Sequence, residues 1–142
     1  MKVLFDTNII LDVLLKRKLF YKPAYQLFRL VEISSIEGFI CANSVTTIYY
    51  LSEKITDRKK TERQINNLLK LFKVAAVDKL ILENAMKAKF KDYEDAVVYE
   101  SGIGIKADSI VTRNPRDFKK AKIPIFTPEE LLTIFKNNPR IV

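Results

Sequence analysis

Short apolar runs alternate with amphipathic helical stretches along this chain, which predicts an α/β fold: a three-layer sandwich around a mainly parallel sheet of about five strands. Two further observations support that class. At 142 residues and 48% hydrophobic content the chain can build one sizeable core but not two ordinary domains, so residues 1–142 are expected to form a single domain with a loose end from about residue 137. Acidic residues also fall at the ends of predicted strands or the starts of predicted helices: Asp6 in VLFDTN, Asp92 and Asp95 in FKDYEDA, and Asp117 in SIVTRNPRDF. In an open α/β sheet, sites gather in the crevice beyond the carboxyl ends of the strands.

Residues 3–5 are apolar and stop at Asp6, and residues 9–15 then carry apolar positions at helical spacing, so the chain opens as strand, turn and helix. Pro23 starts a second helix with Ala24, Leu27, Phe28 and Val31 on one face, and Gly38 is its expected stop. Residues 39–42 read as the second strand. Asn43 or Ser44 is expected to cap a helix through Ile55, and TDRKKTER opens another that ends near Phe72. Residues 74–77 form the third strand, and Asp78 caps a helix reaching about Phe90. A further helix begins in DYED and ends near Gly102 and Gly104. Residues 109–112 and 124–126 supply the fourth and fifth strands. Thr127, Pro128, Glu129 and Glu130 then give a strong start to the last helix.

Composition narrows the chemistry. With no histidine, Cys/His zinc sites and histidine-based acid/base schemes are excluded, and only oxygen ligands remain, which favours Mg²⁺ or Mn²⁺. The single cysteine, Cys41, sits in the apolar stretch GFICA and reads as a buried strand residue. Asp6 and Asp12 interrupt the apolar start and no cleavage-site pattern follows, so no signal peptide is expected. No run approaches the ~18 apolar residues of a membrane span. The expectation is a cytoplasmic protein without a membrane partner. Lys and Arg total 25 against 17 Asp and Glu, a formal charge of +8 that suits a polyanion.

Each acid has a structural explanation of its own: Asp6 as a helix cap, Asp92 and Asp95 as partners of a helix dipole, Asp117 in a turn after Asn114 and Pro115. Their joint placement at one sheet edge points further. Unit charges ~4 Å apart repel by ~4 kcal/mol at an effective dielectric near 20, so clustered carboxylates need protons or cations. A divalent metal there would suit phosphodiester hydrolysis. Rival uses fail on the residues. An aspartyl-phosphate phosphatase wants a second Asp two positions after the first, where Asn8 stands, and neither a P-loop nor a dinucleotide-binding turn can be built from the three glycines.

Taken together, VLFDTNIILD, EDA, IVTRNPRDF and the late IPIFTPEELL resemble the signature blocks of the PIN domain family over nearly the whole chain. The resemblance implies a five-stranded parallel sheet and a Mg²⁺- or Mn²⁺-dependent ribonuclease site of three or four acids. Many small members are VapC-like toxins of toxin-antitoxin pairs, which implies RNA as substrate, an antitoxin protein as partner and, because related domains often pair, a homodimer. Carried over, Asp6 is the first metal ligand, Asp95 the next, and Asp117 the last, directly or through water. Thr112 and Asn114 shape the same pocket, and Asn8 helps to hold the loop around Asp6. One departure stands out. Where members commonly read S-x-x-T-x-x-E-L, SVTTIYYLSEK presents Tyr49 and Tyr50, with Glu53 about one turn later. Asp92, three residues before Asp95 on a helix, is the better replacement, and Glu94 a weaker one.

Arg113, Arg116 and Lys119, with Lys120, Lys122, Lys87, Lys89 and Lys91, are candidate phosphate contacts, and Tyr50 a candidate stacking platform for an unpaired base. The prediction is a metal-dependent endoribonuclease with Asp6, Asp95 and Asp117, helped by Asp92, as catalytic metal ligands. The alternative is a catalytically weakened RNA-binding or partner-binding module. These residues fit DNA as well as RNA.

Overall fold

The computed structural model describes residues 1–137, so the expected loose end beyond Asn137 lies outside the described residues. The chain runs β1 (Lys2–Phe5), α1 (Thr7–Leu14), α2 (Tyr21–Glu32), β2 (Glu37–Cys41), α3 (Ala42–Ile55), α4 (Arg58–Leu71), β3 (Lys73–Ala75), α5 (Lys79–Lys87), α6 (Tyr93–Gly104) and β4 (Ser109–Val111). A short 3-10 helix (Pro115–Phe118), β5 (Ile125–Phe126) and α7 (Pro128–Lys136) follow. All strand pairs are parallel and the sheet order is β3-β2-β1-β4-β5. No helix among the described residues is long and apolar enough to cross a membrane.

The pleat divides the core. Val3, Phe5, Ile40 and Val111 point into one cluster, built with α1, α2, α3, α4 and α7, while Leu4, Phe39, Cys41 and Ile110 point into the other, under α5, α6 and the 3-10 helix. Strands buried on both faces need apolar residues at successive positions, which is why β1 and β4 read as continuous apolar runs. An aromatic trio anchors the first cluster: Phe5 lies 4.9 Å from Phe72 and 6.2 Å from Phe28, and Phe28 lies 5.0 Å from Phe72, all edge to face.

That trio explains Gly38, which does not stop α2. The helix ends at Glu32, where Ser34 takes a left-handed φ of 62°, and Gly38 lies inside β2. A Cβ there would stand 2.7 Å from the Phe72 ring, so the glycine makes room for an aromatic edge. Neither Asn43 nor Ser44 caps α3, because the helix starts earlier, after Cys41, and Ser44 is buried in its first turn. The expected caps at Asp78 and Thr127 are present, the latter as a reciprocal capping box with Glu130.

Register positions the site. Phe5 of β1 pairs with Ile40 of β2 and with Val111 of β4, so these strands end at one level. The residues that follow β1 and β4, Asp6 and Thr112, therefore leave the sheet side by side.

Candidate active site

Asp6 is the N-cap of α1, and both of its oxygens are held. Oδ1 accepts from the Thr7 amide at 2.9 Å and Oδ2 accepts from the Thr112 hydroxyl at 2.7 Å. Its own amide donates to the Val111 carbonyl at 3.0 Å, tying β1 to β4 at this edge. Burial pushes the Asp6 carboxyl above its ordinary value. The hydrogen bonds from Thr112 and Thr7 oppose that, and the charges of Asp117 and Glu94 add to it.

Asp95 lies in the first turn of α6, behind the N-cap Asp92, whose Oδ1 accepts from the Asp95 amide at 3.2 Å. Its carboxyl is pushed up to about 7, first by burial and then by the charges of Asp6, Asp92, Asp117 and Glu94. Asp117 is reached from β4 through a tight turn: the Asn114 amide donates to the Thr112 hydroxyl oxygen at 3.1 Å, and the Asp117 amide donates to the Asn114 carbonyl at 3.0 Å. Thr112 thus links Asp6 to the segment that carries Asp117. Asp92, Asp95 and Asp117, with Lys91, line an open cavity of about 350 Å³.

Acids from two distant stretches line this cavity and the buried Asp6, which does not line it, acts on Asp95 through its charge, yet among the described residues no three acids stand close enough to form a ready-made ligand cluster. The two facts concern different distances. Repulsion acts over several ångströms, whereas direct ligation of Mg²⁺ requires oxygens ~2.0–2.1 Å from one ion. The repulsion defines the neighbourhood, and the spacing sets how a cation would sit in it. Such a site fits a hard ion that keeps several waters and takes one or two carboxylates directly, as Mg²⁺ commonly does.

Other sequence candidates are placed differently. Asn8, in the first turn of α1, makes no side-chain hydrogen bond among the described residues. Thr7 holds the loop instead, its hydroxyl donating to the buried Ser44 Oγ at 2.8 Å. Arg113 turns away from the acids. Its Nε lies 2.8 Å from Asp12 Oδ2 and its guanidinium 4.0 Å from the centre of the Phe20 ring, so it braces the loop after β4 and is not free to contact phosphate. Tyr49 packs against the first core cluster, while Tyr50 is 57% exposed with Lys54 Nζ 4.4 Å from its ring centre. Glu53 is not among the charges acting on Asp6 or Asp95, whereas Glu94 acts on both and Asp92 on Asp95 alone. Glu94 is therefore a stronger partner of Asp6 than its place in the sequence indicates. Arg116 and Lys119 do flank the acids, in a groove of about 570 Å³ with Phe90, Lys91, Asn114, Asp117 and Lys120.

Asp12 was not singled out by sequence, although a lone carboxylate inside IILDVLL carries a signal: a charge on an apolar helix face must find a partner. It is fully buried, with Arg17 Nη1 at 3.4 Å as its second partner. Burial raises its carboxyl, and the charges of Arg113 and Arg17 counter it.

A parallel five-stranded α/β sandwich with carboxylates gathered beyond its first and fourth strands is the architecture of a PIN domain protein. The PIN domain profile matches residues 2–116, and the chain belongs to that family. Among characterised proteins it is similar to Ribonuclease VapC1 of Aquifex aeolicus (strain VF5), with 27% identity over 136 residues covering 91% of this chain and 92% of that protein. Among solved structures it resembles FitAcB from Neisseria gonorrhoeae, with a TM-score of 0.71 and 17% identity over 89% of this chain and 98% of the other. It also resembles a toxin-antitoxin complex from Klebsiella pneumoniae, with a TM-score of 0.66 and 23% identity over 89% of this chain and 97% of the other.

Proposed function

We propose that this protein is a Mg²⁺- or Mn²⁺-dependent endoribonuclease and the toxin of a toxin-antitoxin pair. The observation that carries the reading is the convergence of Asp92, Asp95 and Asp117 on one cavity, near enough to Asp6 for its charge to act on Asp95. Groups in that state are stabilised by a cation or a proton, and in a basic protein the natural polyanionic substrate approaches the same place. The ribonuclease relative and the fold shared with a toxin-antitoxin complex support the substrate and the antitoxin partner.

Asp6 and Asp95 would hold the ion, with Asp117 and Asp92 or Glu94 acting through water. When bound, the ion supplies Lewis-acid stabilisation to phosphodiester hydrolysis. The chain's own groups do the rest. The Thr112 hydroxyl and the Thr7 amide fix the Asp6 carboxylate in one orientation, so it need not reorganise when a ligand arrives. Burial and the neighbouring charges raise the Asp95 carboxyl, and a cation held beside it would compete with its proton. Lys91, Arg116 and Lys119 supply positive charge beside the acids to hold phosphates in register.

The test is cleavage of a single-stranded RNA in Mg²⁺ and in EDTA. The account expects cleavage only with the ion and its loss in Asp6→Asn and Asp95→Asn variants that remain folded. Variants as active as the parent would end it. A second reading, an RNA- or partner-binding module with a weakened site, draws on the spacing of the acids and on Tyr50 standing where relatives commonly carry Glu. It predicts RNA binding at low salt without ion-dependent turnover.

A further inference from the structure

The groove beside Asp117 does not end at Lys120. It passes into a further cavity of about 510 Å³ between α5, α6 and the segment after the 3-10 helix, whose walls include Lys87, Phe90, Tyr99, Glu100, Lys120 and Lys122. Phe90 and Lys120 line both spaces, and Lys91 and Asp117 line both the groove and the acid cavity. The three adjoin through these shared walls, and together they form the channel considered below, from Asp95 outward beside α6.

Resting on the ribonuclease reading, we infer that this channel seats the nucleotides of a single-stranded RNA on one side of the phosphate to be cut, with Phe90 as the surface on which a base stacks. Charge is the first argument. Lys87, Lys91, Arg116, Lys119, Lys120 and Lys122 converge from two stretches of chain, residues 87–91 and 116–122, all exposed, and none forms an ion pair among the described residues. Cations on a solvated helix face need no shared concavity, and these have one.

Shape and chemistry agree with charge. Each outer space falls within the ~300–1,000 Å³ usual for a small-ligand site, enough for a nucleotide unit. The Phe90 ring stacks on buried Tyr99 at 5.2 Å and 29° and meets Phe118 edge to face at 6.2 Å, so it is held rigidly where the two spaces join. A fixed aromatic ring among unpaired cations is the arrangement that grips single strands without reading a full sequence. Glu100 is the one carboxylate in the outer cavity, and its Oε2 is buried without a hydrogen-bond partner.

The inference is tested by fluorescence anisotropy with a labelled 12-nucleotide single-stranded RNA in EDTA at low salt, where no cleavage takes place. Lys120→Ala/Lys122→Ala is expected to weaken binding about tenfold and to lower the slope of log affinity against log salt by about 1.4, at ~0.7 per phosphate contact. Phe90→Leu is expected to weaken it about fivefold, with a thermal melt showing that the fold is kept. Lys59→Ala/Lys60→Ala, exposed on α4, is expected to stay within about twofold of the parent. If the channel pair binds RNA as the α4 pair does, the inference is wrong. It is equally wrong if an acidic peptide binds the channel tightly and RNA does not, since the surface is then a protein dock. Because no chemistry is measured, this can fail while the Asp6→Asn cleavage test succeeds, and the reverse.

Discussion

Replacing Asp95 with Asn should make the ion-free protein more stable at alkaline pH and have little effect in acid. In the folded protein the Asp95 carboxyl titrates at about 7, against 3.8 ordinarily. The folded state therefore binds this proton more tightly than the unfolded chain does. The sign follows: no destabilisation below the unfolded value, a growing one as pH rises through the window from 3.8 to about 7, and the full amount above it. At face value that displacement is worth about 4 kcal/mol. Asp95 is only half-buried, so solvent screening reduces it to about 2 kcal/mol. Asn keeps the shape and removes the charge, so Asp95→Asn should gain about 2 kcal/mol at pH 8 in EDTA, or ~5–10 °C in melting temperature for a chain of this size, and almost nothing at pH 4. Calorimetric melts of both proteins across this range are the assay. A variant less stable than the parent at pH 8, or a gain independent of pH, would refute the reasoning, because the acids would then not be crowding one another.

Other perturbations have worked outcomes. Asp12→Ala leaves Arg113 and Arg17 without their buried partner and should cost about 3–5 kcal/mol by urea denaturation, whereas breaking the exposed pair of Arg58 with Glu62 should leave stability essentially unchanged. Gly38→Ala drives a methyl group into the Phe72 ring and should destabilise by about 1–3 kcal/mol in the same assay. Thr112→Val removes the hydroxyl that donates to Asp6 and accepts from the Asn114 amide. It should cost about 1–3 kcal/mol of stability and lower RNA cleavage more than about tenfold in single-turnover rates. Phe135→Ala, on α7 and outside the stretch matched by the family profile, should cost about 3–5 kcal/mol in thermal melts because its ring is fully buried in the first core cluster.

The parts of the site legible in the sequence are those whose placement is local. A strand ending in Asp6, a helix opening on Asp92 and Asp95, and Thr127 with Glu130 at the start of α7 are governed by turn and capping chemistry within a few residues. The misplaced features depend on contacts between distant segments. Gly38 looks like a helix stop until the Phe72 ring, brought by α4, occupies the space beside it. Arg113 looks like a phosphate contact from its basic neighbours. Its direction is set by a buried aspartate about a hundred positions earlier. Ser44 looks like a cap, but the Thr7 hydroxyl draws it inside. Glu94 and Asp92 differ by two residues, and only the three-dimensional placement of α6 decides whose charge reaches Asp6.

The proposed ribonuclease requires Asp6, Asp95 and Asp117 to share a divalent cation. Mn²⁺ binding followed by electron paramagnetic resonance tests it directly, comparing the parent protein with Asp6→Asn, Asp95→Asn and Asp117→Asn at neutral pH. A bound Mn²⁺ signal is expected in the parent, lost in the first two variants and weakened in the third. A parent that binds no Mn²⁺, or variants that bind it unchanged, would contradict it.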